Sequence, residues 1–493
     1  MFSRDNLFFG GIFVAAIAVF MIWGLNYLAQ HHTLFILATF FGLFMAFNIG
    51  GNDVANSFGT SVGAKTLTVK QALIIAAIFE LSGAMLAGAA VTDTIRKGIV
   101  DISQMDFDPM LYVFVMMGAL LSSALWLMYA STKGYPVSTT HAIVGGILGG
   151  SIALGYVTMP HGGNIFGLIH WDQITKIAIS WVVSPILGGM ASYGIYWYLK
   201  KNILDYNDDV EAKINGIKLQ VKELKASYNE SIATEEEKVS HNEKLQELNR
   251  LQKKSNAFYA LRIHAPLMAA FATAMVAGML LFKGLKHAHL QLDNTQIFML
   301  IATFSTLAYG IVYAIVKVMH KDSPHKATMR LFSMLQVLTA SAFAFSHGAN
   351  DIANAIGPFA AIIDILATGQ INAESPVPII AMATFGIALV AGLWFIGKEV
   401  IQTVGSRITE IFPVTGFAAE LGATLVILAA TKLGIPVSST HILIGAIIGI
   451  GMINRNANWA LMRPIAMAWI ITLPAAGIMS AIFFALLKIT FGY

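Results

Sequence analysis

The chain has 493 residues, of which 56% are hydrophobic and 12% charged, with a mean hydropathy of +0.69, and no ordinary soluble domain of this length carries that load without exposing large apolar patches. A net charge of +4 gives no ground for nucleic-acid binding, and the absence of cysteine excludes disulfides, thiolate metal sites, haem attachment through cysteine and cysteine nucleophiles. An integral membrane protein, multi-pass in the cell membrane (a bacterial inner membrane or a plasma membrane), is the class left.

Apolar runs near 8–28, 33–48, 69–91, 110–130, 174–199, 264–282, 296–316, 331–345, 377–396, 411–430 and 464–487 mostly approach the roughly 20 residues that cross a bilayer core as a helix. Their Leu, Ile, Ala, Phe and Gly content suits helices rather than barrel strands. The first run is long and ends in Asn26-Tyr-Leu-Ala-Gln30 without a small-x-small cleavage site, so it reads as a retained span. Polar sequence then interrupts the pattern twice, as NIGGNDVANSFG at 48–59 and PVSTTH at 136–141. Both stretches, together with the residues just C-terminal to them, are dense in Gly, Ser, Thr and Asn. They read as broken helices or re-entrant hairpins, tolerated at membrane depth only where protein or water satisfies the backbone.

Residues 200–262 hold a large share of the ionisable side chains, with lysines and carboxylates interspersed. Val210, Ile214, Ile217, Val221 and Leu224 step by four and three, the seam of an otherwise charged helix. After a break around Ala226–Ala233, Thr234-Glu-Glu-Glu237 is a capping box for a second helix with Leu245, Leu248 and Leu251. The segment reads as a cytoplasmic helical hairpin, or a solvated linker helical only in part.

Beyond it both polar elements return, as SHGANDIANAIG at 346–357 and PVSSTH at 436–441. Asp53 and Asp351 stand 298 positions apart, and Ser138 and Ser438 stand 300 apart. The chain therefore divides into a membrane half at 1–199, the insert at 200–262 and a second membrane half at 263–493. Lys200, Lys201, Arg262, Lys321 and Lys326 place the insert and the loop 317–330 in the cytoplasm, while His31 and His32 fall outside. The first motif is then carried inward and the second outward. The fold expected is an all-α membrane protein of two inverted-topology repeats, about 11–12 transmembrane helices, broken or re-entrant at the midplane.

Four carboxylates lie in apolar sequence: Asp53, Asp351, Glu80 and Glu420. A charge at the centre of a span costs about 2.5 to 3.5 kcal/mol on insertion scales, so these groups need cations, protons or hydrogen bonds. Hard oxygen ligands suit a small hard cation such as Na⁺. Pro136 and Pro436 stop the preceding backbone, and Ser138-Thr139-Thr140 and Ser438-Ser439-Thr440 then offer an N-cap followed by unpaired N–H groups. Two such helix N-termini, brought to the midplane from opposite sides, suit an oxyanion. Cation ligands beside anion donors imply coupled transport, because a dianion entering against about 100 mV costs about 4.6 kcal/mol that co-transported cations offset.

The doubled G-x-N-D-x-A-N and P-V-S-[ST]-T-H elements, with Gly416-Phe-Ala-Ala-Glu420, resemble the inorganic phosphate transporter (PiT) family of phosphate permeases and sodium–phosphate symporters. The resemblance spans the membrane part and leaves out the insert. It implies symport of inorganic phosphate with Na⁺ or H⁺, no cofactor, and is compatible with a homodimer. On matching positions it implies cation ligands at Asn52, Asp53, Glu80, Asn350, Asp351 and Glu420, and phosphate contacts at Asn56, Ser138, His347, Asn354 and Ser438, to which the helix-start donors Thr139, Thr140, Ser439 and Thr440 are added. The Gly-Phe-x-x-Glu element resembles the sodium-coupled branch, although Met116–Ser123 lacks a matching carboxylate.

Competing structural roles are helix capping for the aspartates, a hydrogen-bonded Glu for Glu80 and Glu420, and back-bonding to a preceding carbonyl for the Thr and Ser residues. His141 and His441 read as orienting the turn, and the tryptophans, Trp171 and Trp459 among them, as interface residues. The function expected is secondary active import of phosphate with Na⁺ by alternating access. H⁺-coupled phosphate or metal-phosphate symport, a sulfate permease of the same fold and a passive anion channel are the rivals. An enzyme is disfavoured because no orienting third group accompanies Ser and His, and a nucleotide-driven pump because no phosphate-binding loop is present.

Overall fold

The computed structural model describes residues 4–493 except 98, 101–106, 134, 160–164, 228–233, 255–257, 280, 282–291, 320–322, 373–376 and 408–409. Among the described residues the chain is helical, and its only extended pairing is an isolated bridge between Val100 and Ile169. The helices run in order α1 (Arg4–Tyr27), α2 (His32–Gly63), α3 (Val69–Ala87), α4 (Ala89–Lys97), α5 (Pro109–Thr132), α6 (Thr139–Thr158), α7 (Trp171–Leu199), α8 (Asp205–Ser227) and α9 (Glu235–Lys254). They continue as α10 (Tyr259–Met279), α11 (Asn294–Val318), α12 (Pro324–Asp351), α13 (Ala353–Thr368), α14 (Ile379–Arg407), α15 (Pro413–Lys432), α16 (Ser439–Asn454) and α17 (Trp459–Phe491). Their starts follow from the sequence. Thr68 and Gln71 form a capping box on α3, Asp293 and Gln296 one on α11, and Asp108 caps α5 ahead of Pro109.

Twelve helical stretches among the described residues are long and apolar enough to cross a membrane. Eleven coincide with the apolar runs of the sequence, and the twelfth is α6, whose glycines, serines and threonines dilute its hydropathy. Its counterpart α16 is apolar but only 16 residues long.

The chain forms two compact units, Met1–Tyr193 with Met279–Gln291 and Gln336–Tyr493, and Gly194–Gly278 with Leu292–Leu335. In the second unit α8 and α9 pack on each other. Val210 is buried on that seam, and Ile214, Ile217, Val221, Leu224, Leu245 and Leu248 are half-buried. Lys321, residues 228–233 of the expected break, and the side chains of Glu237 and Leu251 lie outside the described residues. Asn207 donates to Thr328 at 2.7 Å, and Tyr198 meets His264 at 2.6 Å.

The first unit holds all four duplicated polar elements. Its tightest seam is between α2 and α14, where two glycines interlock: a side chain on Gly50 would strike the Leu389 carbonyl, and one on Gly392 the Phe47 carbonyl. The first Asn-Asp motif accordingly lies inside an unbroken α2, because its glycines serve a close helix crossing. The interruptions fall elsewhere, at Ile352 between α12 and α13 and in the extended segments 135–138 and 435–438 before α6 and α16. Those two segments join α5 to α6 and α15 to α16.

Candidate functional site

The two Pro-x-Ser turns are built as their sequence demands. Ser138 and Ser438 are extended (φ −87°, ψ 119° and φ −94°, ψ 109°), and their hydroxyls accept the backbone N–H of His141 and His441 at 3.2 and 3.3 Å. Both serines are buried. Their O–H groups remain available to donate beside the first free N–H groups of α6 and α16.

The Asn-Asp motifs meet these turns from both halves, and the contacts recur with the halves exchanged. Asn56 donates to the Thr440 hydroxyl at 2.7 Å, while Asn354 donates to Thr139 and Thr140 at 3.2 Å each. Thr140 donates to the Val437 carbonyl at 3.0 Å, and Thr440 lies 3.5 Å from the Val137 carbonyl. Such partner exchange is what an inverted repeat requires. None of these threonine bonds is the back-bonding alternative. Asn52 lies 2.7 Å from the Ser131 hydroxyl and Asn350 3.0 Å from that of Thr431. With each amide oxygen accepting there, the amide nitrogens reach the Val137 and Val437 carbonyls at 3.2 Å and their own aspartates at 3.1 and 3.2 Å.

Between the turns sit the charges. Thr440 donates to Asp53 at 3.1 Å and Ser439 to Asp351 at 2.7 Å. His347, one turn before Asp351 on α12, stands between them: Nε2 is 3.0 Å from Asp351 Oδ2 and 3.7 Å from Asp53 Oδ2, and Nδ1 is 3.1 Å from Glu80 Oε1. Ser57 also donates to Glu80 at 3.1 Å. Asp53 Oδ2, Glu80 Oε2 and Asn354 Oδ1 are all buried without a hydrogen-bond partner. Buried polar atoms left unsatisfied in this way cost about 1 to 3 kcal/mol each, and here they are concentrated in one cluster of oxygens, with Asp53, His347 and Asp351 close enough to share an ion.

Glu420 is set apart. Its carboxylate accepts from Thr60 (2.6 Å), Ser61 (2.7 Å), Gln336 (3.1 Å) and Thr339 (2.7 Å), and from none of the aspartate-cluster residues. The structure thus brings fourteen of the fifteen residues singled out from the sequence to one cluster and its two turns, and gives Glu420 its own oxygen-rich pocket.

Several participants were missed by the sequence reading. Ser57, Thr60 and Ser61 follow Asp53 at four, seven and eight positions, the face of a helix that continues past the motif. Ser131 and Thr431 share the 300-residue offset of Ser138 and Ser438 and were legible from it. Gln336 and Thr339 carry no comparable signal.

Comparison with known proteins gives a consistent result. Residues 49–480 match the family described as the Phosphate transporter family. A Mycobacterium bovis protein provisionally named a phosphate permease is 46% identical over 99% of this chain and 93% of its own. The chloroplastic inorganic phosphate transporter 2-1 of Arabidopsis thaliana is 34% identical over 90% of this chain and 70% of its own. A solved structure titled "The sodium-dependent phosphate transporter" superposes with a TM-score of 0.75 at 30% identity, covering 93% of this chain and 99% of that one.

Proposed function

Because the chain belongs to the phosphate transporter family, a group of multi-pass membrane permeases, we propose that it imports inorganic phosphate together with Na⁺ by alternating access. The observation that carries the coupling ion is the set of buried, unpartnered carboxylate oxygens on Asp53 and Glu80 beside Asp351. Hard, closely grouped oxygens fit a small hard cation, and the solved relative named for sodium dependence supports the same reading.

In this reading Na⁺ enters first, held by Asp53 and Asp351 with Asn52, Asn350 and Glu80 in support. Its charge removes the repulsion that two aspartates would offer a dianion. Phosphate then sits against the N-termini of α6 and α16, taking donors from Ser138, Thr139, Thr140, Ser438, Ser439 and Thr440, with the amides of Asn56 and Asn354 and the His347 ring at its edge. Glu420, with Thr60, Ser61 and Thr339, is a second oxygen site for Na⁺. Each co-transported cation offsets about 2.3 kcal/mol per 100 mV of the work of bringing phosphate into a negative interior.

The test is uptake of labelled phosphate by liposomes containing the purified protein, under imposed Na⁺ or pH gradients and with unlabelled sulfate as competitor. Concentrative uptake driven by Na⁺ and indifferent to sulfate is expected. Uptake that follows the pH gradient alone, or that never exceeds equilibrium, would sink the reading.

A further inference from the structure

Directly behind the two oxyanion turns lies a second constellation. His141 and His441, the last residues of the doubled P-V-S-[ST]-T-H element, are 6% and 2% exposed, and their rings meet edge to face with centroids 4.6 Å apart. Each ring also lies on a tryptophan of its own half: His141 on Trp181 of α7 at 3.9 Å, and His441 on Trp469 of α17 at 3.7 Å. Trp181 and Trp469 stand 288 positions apart, as do Trp171 and Trp459, so a W-x9-W element is a third duplicated feature of the chain.

The polar atoms of this quartet are nearly idle. Nε2 of His141 and the indole N–H of each tryptophan have no hydrogen-bond partner, while His141 Nδ1 reaches the Trp469 carbonyl at 3.4 Å and His441 faces the Trp181 backbone. Close ring contact, with one long backbone contact per histidine, is therefore what the four residues supply. It is supplied at a demanding place. The N-termini of α6 and α16 both carry positive partial charge and approach each other there, which is unfavourable until an anion lies between them. The backbone N–H groups of the two histidines are the very ones capped by Ser138 and Ser438. A ring that moves takes its turn with it.

We propose that His141 and His441 are positioning residues for phosphate: their ring pair, held between Trp181 and Trp469, fixes the spacing of the two helix N-termini that take the oxyanion. The tryptophans tie that spacing to the helix packing around it. A side chain on Gly445 would strike the Pro185 carbonyl of α7, and one on Gly145 the Leu473 carbonyl of α17, so each oxyanion helix is seated on the tryptophan helix of the opposite half. The role belongs to the aromatic ring and not to a proton, which sets it apart from the carboxylate chemistry at Asp53 and Asp351.

The inference rests on the phosphate reading, and its test has one arm that does not. With no native cysteine, spin labels can be placed on Lys133→Cys and Leu433→Cys, exposed positions at the C-terminal caps of α5 and α15. His441→Ala and His141→Ala should each broaden the measured distance distribution, and His441→Phe should restore it, whether or not phosphate is the substrate. In liposomes each alanine variant should raise the KM for phosphate about tenfold with the maximal rate within about twofold and Na⁺ activation unchanged. The double alanine variant should be no worse than either single one, because one lost partner already removes the pair. His441→Phe should stay within about twofold of wild type. An unchanged distance distribution in both alanine variants, strictly multiplicative KM effects, or a phenylalanine variant as impaired as alanine would each overturn the proposal. Failure of the wild-type protein to move phosphate would instead count against the functional reading and leave the distance arm to decide this one.

Discussion

Glu80 and Glu420 are both completely buried carboxylates on spanning helices, yet the two halves treat them differently. Glu80 shares one oxygen between Ser57 and His347 and has the other unpartnered, and through His347 it is joined to Asp351. Glu420 is surrounded by four donors that leave neither oxygen idle. An under-satisfied carboxylate is poised to gain from a ligand, whereas a satisfied one must exchange partners to take one. The duplication copied the aspartates and the turns faithfully. The glutamates and His347, whose counterpart position in the first half is Ile49, are where the halves diverge.

That contrast can be broken at several strengths. The largest effect is expected where the halves agree: Asp53→Asn and Asp351→Asn should each lower Na⁺-driven phosphate uptake by about 100-fold, roughly 2.7 kcal/mol, as for the loss of a buried charged ligand. If either variant kept wild-type uptake and Na⁺ dependence, that aspartate would leave the cation site. Next, the glutamates should separate in double-mutant cycles. Glu80→Gln combined with Asp351→Asn should be non-additive by about 1 kcal/mol or more, and Glu420→Gln with Asp351→Asn additive within about 0.5 kcal/mol. Equal coupling for both would erase the distinction. Thr339→Val, which strips Glu420 of one donor, should cost about 1 to 2 kcal/mol of stability, read as a lower midpoint of thermal unfolding in detergent. An unchanged midpoint would mean that the Thr339 bond is replaceable by its neighbours. The smallest effects fall on the capping serines: Ser138→Ala and Ser438→Ala should each cost about 1 kcal/mol, seen as an approximately fivefold rise in KM for phosphate and similar in the two halves. A marked asymmetry would show that the turns are less equivalent than their geometry.

How much of this was legible depends on the distance over which each signal acts. The turns were readable because proline, serine and the helix start they impose are local. So was the seam of α8, a periodicity along one helix. The offset of about 300 residues carried the pairing of the halves, since a repeat encodes tertiary information in a one-dimensional spacing. Composition misled the reading of the first motif. The Gly-, Ser-, Thr- and Asn-rich run at and after Asp53 suggested a broken helix, but α2 continues through it and Gly50 is buried against α14, a packing role that sequence alone does not separate from a break. The pocket of Glu420 was invisible for a related reason: its donors come from α2 and α12, and only packing brings them to α15.

The glycine interlock between α2 and α14 has one more consequence. Because a carbonyl of each helix fills the place of a side chain on the other, the two cannot slip along their length, and α2 behaves as a stiff shaft. Asp53 and Thr60 sit about two turns apart on that shaft, some 10 Å, one in the aspartate cluster and the other in contact with Glu420. Any axial shift that opens one of these pockets is delivered to the other in the same stroke. A ligand that pushed Asp53 along the axis of α2 would thereby be felt at Thr60 and the Glu420 carboxylate through a single helix.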